Sequence, residues 1–268
     1  MTLARYLLVA VCALVVLGAP ARAELTPSRA QELFDAANAA FRDATAARSA
    51  SPEDAARLYG VAIRDYEQLV GSIDNGLLRY NLANAYLLSG NVGRAVLEYR
   101  RAERLAPNKP EIRANLEEAR RRVETRFEAS DGLEGALLSW HTEISPRLRL
   151  SAFALLSGVA WLLLGVRLFG FRALPRWPGF LLLALSLLPA ASLSVSAYRD
   201  ASVREGVVIA DAVVGRKGPD ALGYAPSFSE PLRSGVEFTI VEQRPGWLYV
   251  ELPDGRMTWI TEDAIGII

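Results

Sequence analysis

The sequence predicts a multidomain membrane protein: an all-α domain of helical repeats, a two-helix transmembrane hairpin and an all-β barrel. Three observations carry this. Small and large residues recur at fixed helical spacing between Tyr80 and Pro107. Two apolar segments, 150–166 and 180–197, are each about long enough to cross the hydrocarbon core of a bilayer. After Arg204 the pattern changes to short alternating strands separated by Ser-Gly, Pro-Gly and Asp-Gly turns. A chain of 268 residues divided in this way points to modest separate units rather than one large core.

The N-terminus carries Arg5, an apolar run from Leu7 to Leu17 and the small-x-small triplet Ala21-Arg22-Ala23. Residues 1–23 therefore read as a secretory signal peptide cut after Ala23. The competing reading, an uncleaved anchor, has a short apolar core against it. Cys12 is the single cysteine and lies inside that apolar run. A mature chain without cysteine excludes thiol redox chemistry and thiolate metal sites. Thirty bases balance thirty acids, so net charge gives no pull toward nucleic acid.

The first span is expected at 148–169 and the second at 177–198, with a hinge at 170–176 between them. Arg149, Arg167, Arg176 and Arg199 sit at the ends, where long side chains snorkel to headgroups. Trp161 lies inside the first span, and Trp177 and Tyr198 flank the second as interface anchors. Gly158, Gly165, Ala184, Ala191 and Ser194 are small enough to bring the two helices close. With an exporting signal peptide, the hinge faces the cytoplasm. Both end domains are then expected in the periplasm of a bacterium, on a multi-pass protein of the inner membrane. The juxtamembrane stretch 129–147 places Leu133, Leu137, Leu138 and Trp140 on one side, as a short helix lying in membrane lipid headgroups does. The only histidine, His141, reads there as polar trim.

In the helical domain, 24–128, Leu82, Ala83, Tyr86, Gly90, Ala95, Tyr99, Ala102 and Pro107 occupy the positions of a tetratricopeptide repeat. Ala83 and Ala95 let helix axes approach, Tyr86 and Tyr99 fill the gaps, Gly90 opens the turn and Pro107 ends the second helix. Arg79 departs from the pattern, because a large apolar residue is usual there. An earlier repeat is expected from Arg29–Phe41 and from a second helix carrying Ala62, Tyr66 and Leu69. An extended loop separates the two, with Ser51 and Pro52 starting the next helix. Pro110 to Phe127 closes the stack, with Ile112, Leu116, Ala119 and Val123 inward and Glu117–Arg121 and Glu118–Arg122 pairs outward. The expected partner-binding groove exposes Tyr80, Asn84, Leu87 and Leu88, joined by Arg121 and Arg122. The alternative is that Asn84 braces neighbouring helices and the arginines are a solvated face.

A linker is expected at 199–206 and a barrel at 207–268. Gly246, Trp247, Val250, Asp254, Gly255, Trp259 and Ile260 match the signature of bacterial SH3 domains, which this segment resembles. Thr258 stands where that signature has a glycine. Alternation sends Leu248, Val250 and Leu252 to the core and Trp247, Tyr249 and Glu251 outward. Tyr224, Trp247, Tyr249 and Trp259 are the candidate ligand-binding aromatics; the alternative is that the tryptophans fold over the barrel ends as core. No phosphate loop, histidine pair or Ser/His/Asp set appears, so no cofactor, metal or catalytic residue is expected.

Taken in order, these parts are similar to the E-type protein of the Bat (Bacteroides aerotolerance) operons. The YNLANAY repeat, the Ala62/Tyr66 helix, the Ser139-Trp140-His141 approach to the membrane and the GWLYVEL hairpin carry the resemblance. It implies a non-enzymatic inner-membrane scaffold for protein–protein interaction. Its partners would be von Willebrand A-domain membrane proteins and a MoxR-type ATPase, acting in envelope stress or aerotolerance. A second expectation is a cell-wall sensor whose barrel binds peptidoglycan and relays to a hydrolase.

Overall fold

The computed structural model describes residues 25–125, 127, 144–166 and 175–268. The expected signal peptide, the stretch around Trp140 and His141, and the hinge residues Arg167 and Arg172 lie outside the described residues. Within those residues the chain has seven helices followed by a five-stranded antiparallel sheet.

Helices α1 (Pro27–Ala47), α2 (Pro52–Val70), α3 (Gly76–Leu88), α4 (Val92–Leu105) and α5 (Pro110–Arg121) follow one another through turns of three to five residues. Links that short make each helix pack on its neighbour. Side-chain caps fix the starts: Thr26 accepts from the N–H of Arg29 at 3.3 Å, Asn75 from Leu77 at 2.9 Å and Asn91 from Arg94 at 3.2 Å. Ser51 does precede α2, but its hydroxyl donates to the Asp54 carboxylate at 2.9 Å instead of accepting from the backbone. Gly90 turns the chain between α3 and α4 with φ of 90°, a conformation that side chains with a Cβ resist.

The extended loop expected between the first two helices is absent. Helices α1 and α2 run for 21 and 19 residues and absorb that length themselves. The added turns are rich in alanine, the best helix former, and Ala44 and Ala55 pack around Tyr59 in a small core of their own. Elsewhere the small-against-large packing is as expected. Ala62, Ala83, Ala95 and Ala102 are fully buried, with Tyr66 and Tyr99 filling the space between helices.

Helices α6 (Pro146–Val166) and α7 (Trp177–Ser202) pack side by side. Pro146–Val166 and Trp177–Tyr198 are long and apolar enough to cross a membrane. They leave Leu155, Trp161, Leu162 and Leu187 exposed, where a core helix of a water-soluble domain buries such residues. Two expectations change here. Arg149 does not snorkel outward: it is 5% exposed and donates to Ser192 Oγ at 2.8 Å and Ser196 Oγ at 2.9 Å, clamping α6 to α7. Gly158 and Gly165 do not make the helix contact, since a Cβ on either meets nothing within 4 Å. Gly179 against Leu164, beside the fully buried Ala160, makes it instead.

The segment expected as a linker is helix up to Ser202 and strand from Arg204, so a single residue, Val203, joins α7 to the sheet. The strands are β1 (Arg204–Val208), β2 (Ala212–Val213), β3 (Leu232–Arg233), β4 (Glu237–Arg244), β5 (Trp247–Glu251), β6 (Met257–Thr261) and β7 (Ile265–Ile267). The main sheet runs β6-β5-β4-β1-β7, every pair antiparallel, and β2 pairs with β3 apart from it. Leu248, Val250 and Leu252 point into the core as the alternation requires, joined by Val207, Phe238 and Ile260. Gly255, with φ of 81°, makes the expected Asp-Gly turn. Thr258 is buried, its hydroxyl 2.9 Å from Ser227 Oγ and 3.2 Å from the Arg216 carbonyl. The close approach is supplied from the facing segment by Gly215, where a Cβ would lie 2.5 Å from Thr258 Oγ1.

Candidate functional site

Tyr80 and Asn84 lie one turn apart on α3 and therefore share a side of it. Tyr99 from α4 donates to Asn84 Oδ1 at 2.5 Å, and Asn115 from α5 donates to the same oxygen and to the Tyr80 hydroxyl, both at 3.0 Å. The first helix pair repeats the device, with Tyr66 of α2 donating to Asn38 Oδ1 of α1 at 2.8 Å. Each asparagine spends its carbonyl oxygen on a tyrosine, which fixes the amide plane. Asn84 then has only its N–H groups left to offer a ligand.

Burial pushes the hydroxyls of Tyr66 and Tyr86 up to about 12 and raises that of Tyr99 further. The sign follows from the protonated form being favoured in the fold. The contribution is complete below pH 10, the ordinary value, and disappears as pH rises through about 12. We expect loss of helical circular dichroism between those limits, coincident with phenolate absorbance. Complete ionisation of all nine tyrosines near pH 10 with the helices intact would contradict this placement.

The remaining predicted groove residues divide. Leu88 is half-buried against the Tyr59 cluster. Leu87 is not exposed: it is 6% accessible, because its side of α3 turns into the main core. Arg121 and Arg122 both pair with Glu118, at 2.5 and 3.0 Å, which holds that carboxyl below its ordinary value. Glu117 pairs with Arg120 rather than with Arg121. Arg122 also lines a polar cavity of about 480 Å³ with Asn91, Glu124, Asp211 and Arg233, beside the α3–α4 turn. The fold thus brings Tyr80 and Asn84 together and leaves the two arginines at the C-terminal end of α5, held by Glu118.

On the barrel, the aromatic platform is smaller than expected. Trp259 is only 6% exposed, because Tyr249 stacks on it with centroids 5.0 Å apart and the Arg244 guanidinium lies 4.8 Å from its ring. Cross-strand pairing of Tyr249 with Trp259 brings those rings together. Trp247 is half-buried where β4 and β5 meet, opposite Arg244. Tyr224 is 48% exposed in the long loop before β3, covering Gly218, and has no ring contact with the others among the described residues.

The surface that sequence reasoning missed is the junction between helices and barrel. Ala95, Tyr99 and Ala102 of α4 pack inward, while Gly93, Leu97, Arg100 and Arg101 meet the barrel. One hydrophobic core runs continuously from Leu33 in α1 to Ile265 in β7. Glu237 takes Arg120 on both oxygens, at 2.6 and 3.0 Å, and lies 3.1 Å from Arg100 Nε. Arg100 also pairs with Glu205. A helical glycine at 93, which helix propensity disfavours, and a Leu97 outside the inward stripe were the available signals. The barrel therefore occupies α4 and the end of α5 and leaves Tyr80, Asn84 and Leu88 uncovered by strands. No protein-family model matches this chain, and no curated protein sequence matches it.

Proposed function

We propose that this protein is a non-enzymatic scaffold of the inner membrane, of the Bat type, whose helical groove docks membrane-anchored partner proteins in the periplasm. The observation that carries the reading is the Tyr80–Asn84–Asn115–Tyr99 network, an ordered polar strip in a groove the barrel leaves open. Repeated Asn–Tyr pairs on successive helices support the tetratricopeptide assignment. The strand order β6-β5-β4-β1-β7, with a 3₁₀ turn at Glu262–Ala264 before the last strand, supports an SH3-like barrel. α6 and α7 span the bilayer, and the single residue Val203 keeps the barrel against its outer surface. Partners are then von Willebrand A-domain membrane proteins working with a MoxR-type ATPase. The covered Trp259 gives the peptidoglycan-sensor alternative no added weight.

A photo-reactive residue replacing Leu88, compared with one replacing the 98% exposed Leu222 in native membranes, tests this. We expect an adduct with an A-domain membrane protein from position 88 alone, lost in Asn84→Ala. No adduct, or equal adducts from both positions, contradicts the proposal.

A further inference from the structure

Arg79 breaks the apolar pattern of its repeat, and the fold gives it a task. Its side chain is 14% exposed, with Nε donating to Asp74 at 2.6 Å and Nη1 to Glu98 Oε2 at 2.7 Å. Glu98 is itself buried, at 8% side-chain exposure, and its other oxygen accepts from Arg101 Nη1 at 2.7 Å. Arg101 in turn donates through Nε, at 3.0 Å, and through Nη2 to the carbonyl of Ile267.

That carbonyl belongs to the edge of the sheet. Strand β7 pairs with β1 alone, and the bonds from Ile209 N–H to Ala264 and from Ile268 N–H to Glu205 bracket the ladder. Antiparallel alternation then turns the N–H and C=O groups of Ile265 and Ile267 outward, toward Arg101. A cleft of about 630 Å³ lies there, lined by Arg79, Leu82, Glu98, Arg101, Ile265 and Ile267 among others. An edge carbonyl left open invites pairing with another strand, and Arg101 occupies it.

Two guanidiniums held on the two oxygens of one buried carboxylate fix each other's orientation, because losing either leaves Glu98 half-satisfied in a site of low polarity. Arg79 thus acts on β7 without touching it. We propose that Arg79, Glu98 and Arg101 form a latch joining the groove-bearing helix α3 to the barrel's edge strand, so that movement of α3 loosens β7. Arg79 and Glu98 are positioning residues for Arg101. Only the trigger, occupancy beside Tyr80, rests on the groove reading; the latch is tested without any groove ligand.

The experiment is amide hydrogen exchange on the full chain in lipid nanodiscs, comparing segment 265–268 with β5 as an internal reference. In Arg79→Leu, which supplies the apolar residue usual in the repeat, exchange at Gly266 and Ile268 should rise about tenfold, the scale of one charge-assisted hydrogen bond. β5 should be unchanged, and the double variant with Arg101→Ala should exchange no faster than Arg101→Ala alone. If Arg79→Leu does not fold, the near-isosteric Glu98→Gln should give the same local rise. Unchanged β7, an equal rise in β5, or additive effects of the two substitutions would each overturn the latch.

Discussion

Gly93→Ala lowers stability by about 1–2 kcal/mol, although glycine to alanine inside a helix ordinarily adds about 1 kcal/mol. The reversal comes from the barrel. A Cβ at position 93 would lie 2.2 Å from Ser234 Oγ, 2.7 Å from the Val208 carbonyl and 3.0 Å from the Gly235 nitrogen. The hydroxyl of Ser234 can rotate away, but the two backbone atoms belong to the turn that starts β4 and to β1, which the ladder fixes. The helix and barrel must separate to admit one methyl group. A fall in Tm of about 3–6 °C is the scale for such a loss in a domain of this size. An unchanged or higher Tm would mean that α4 and the barrel do not meet closely in solution.

Glu237→Ala comes next, with an expected loss of about 2 kcal/mol. It removes two of the three acceptors of Arg120, leaving Glu117, and one partner of Arg100, while both guanidiniums stay against the barrel. A fully buried pair broken on one side costs about 3–5 kcal/mol; partial access of water to these side chains reduces that. The double variant Glu237→Ala/Arg120→Ala should recover part of the loss, because it removes the cation left with Glu117 alone. Denaturant titration of the four members of that cycle measures the coupling. A coupling of zero would show that the Arg120–Glu237 pair adds nothing to the junction.

Much of each part could be read from the sequence, because each part carries its own period. Ala83, Ala95 and Tyr99 sit at helical spacing, and Leu248, Val250 and Leu252 alternate, so their burial is a local matter. The greater length of α1 and α2 is hidden by Ser49-Ala-Ser-Pro, which reads as loop, although the four residues from Arg48 to Ser51 suffice for the turn. The junction has no period. Arg100, Arg101 and Arg120 look like the solvated side of helices until residues more than a hundred positions later are placed against them. Trp259 shows a related limit: spacing places it beside Tyr249, but does not say that a neighbour such as Arg244 then covers it.

The central claim is that the helical stack and the barrel form a single body on the membrane, with the groove left free. Hydrogen exchange of the full chain in nanodiscs, followed through a urea series, tests it most directly. The account predicts that ladder amides of β1 and β4 and core amides of α3 and α4 lose protection in one transition at the same midpoint. Two separated transitions, with the barrel opening while α3 and α4 remain protected, would contradict it.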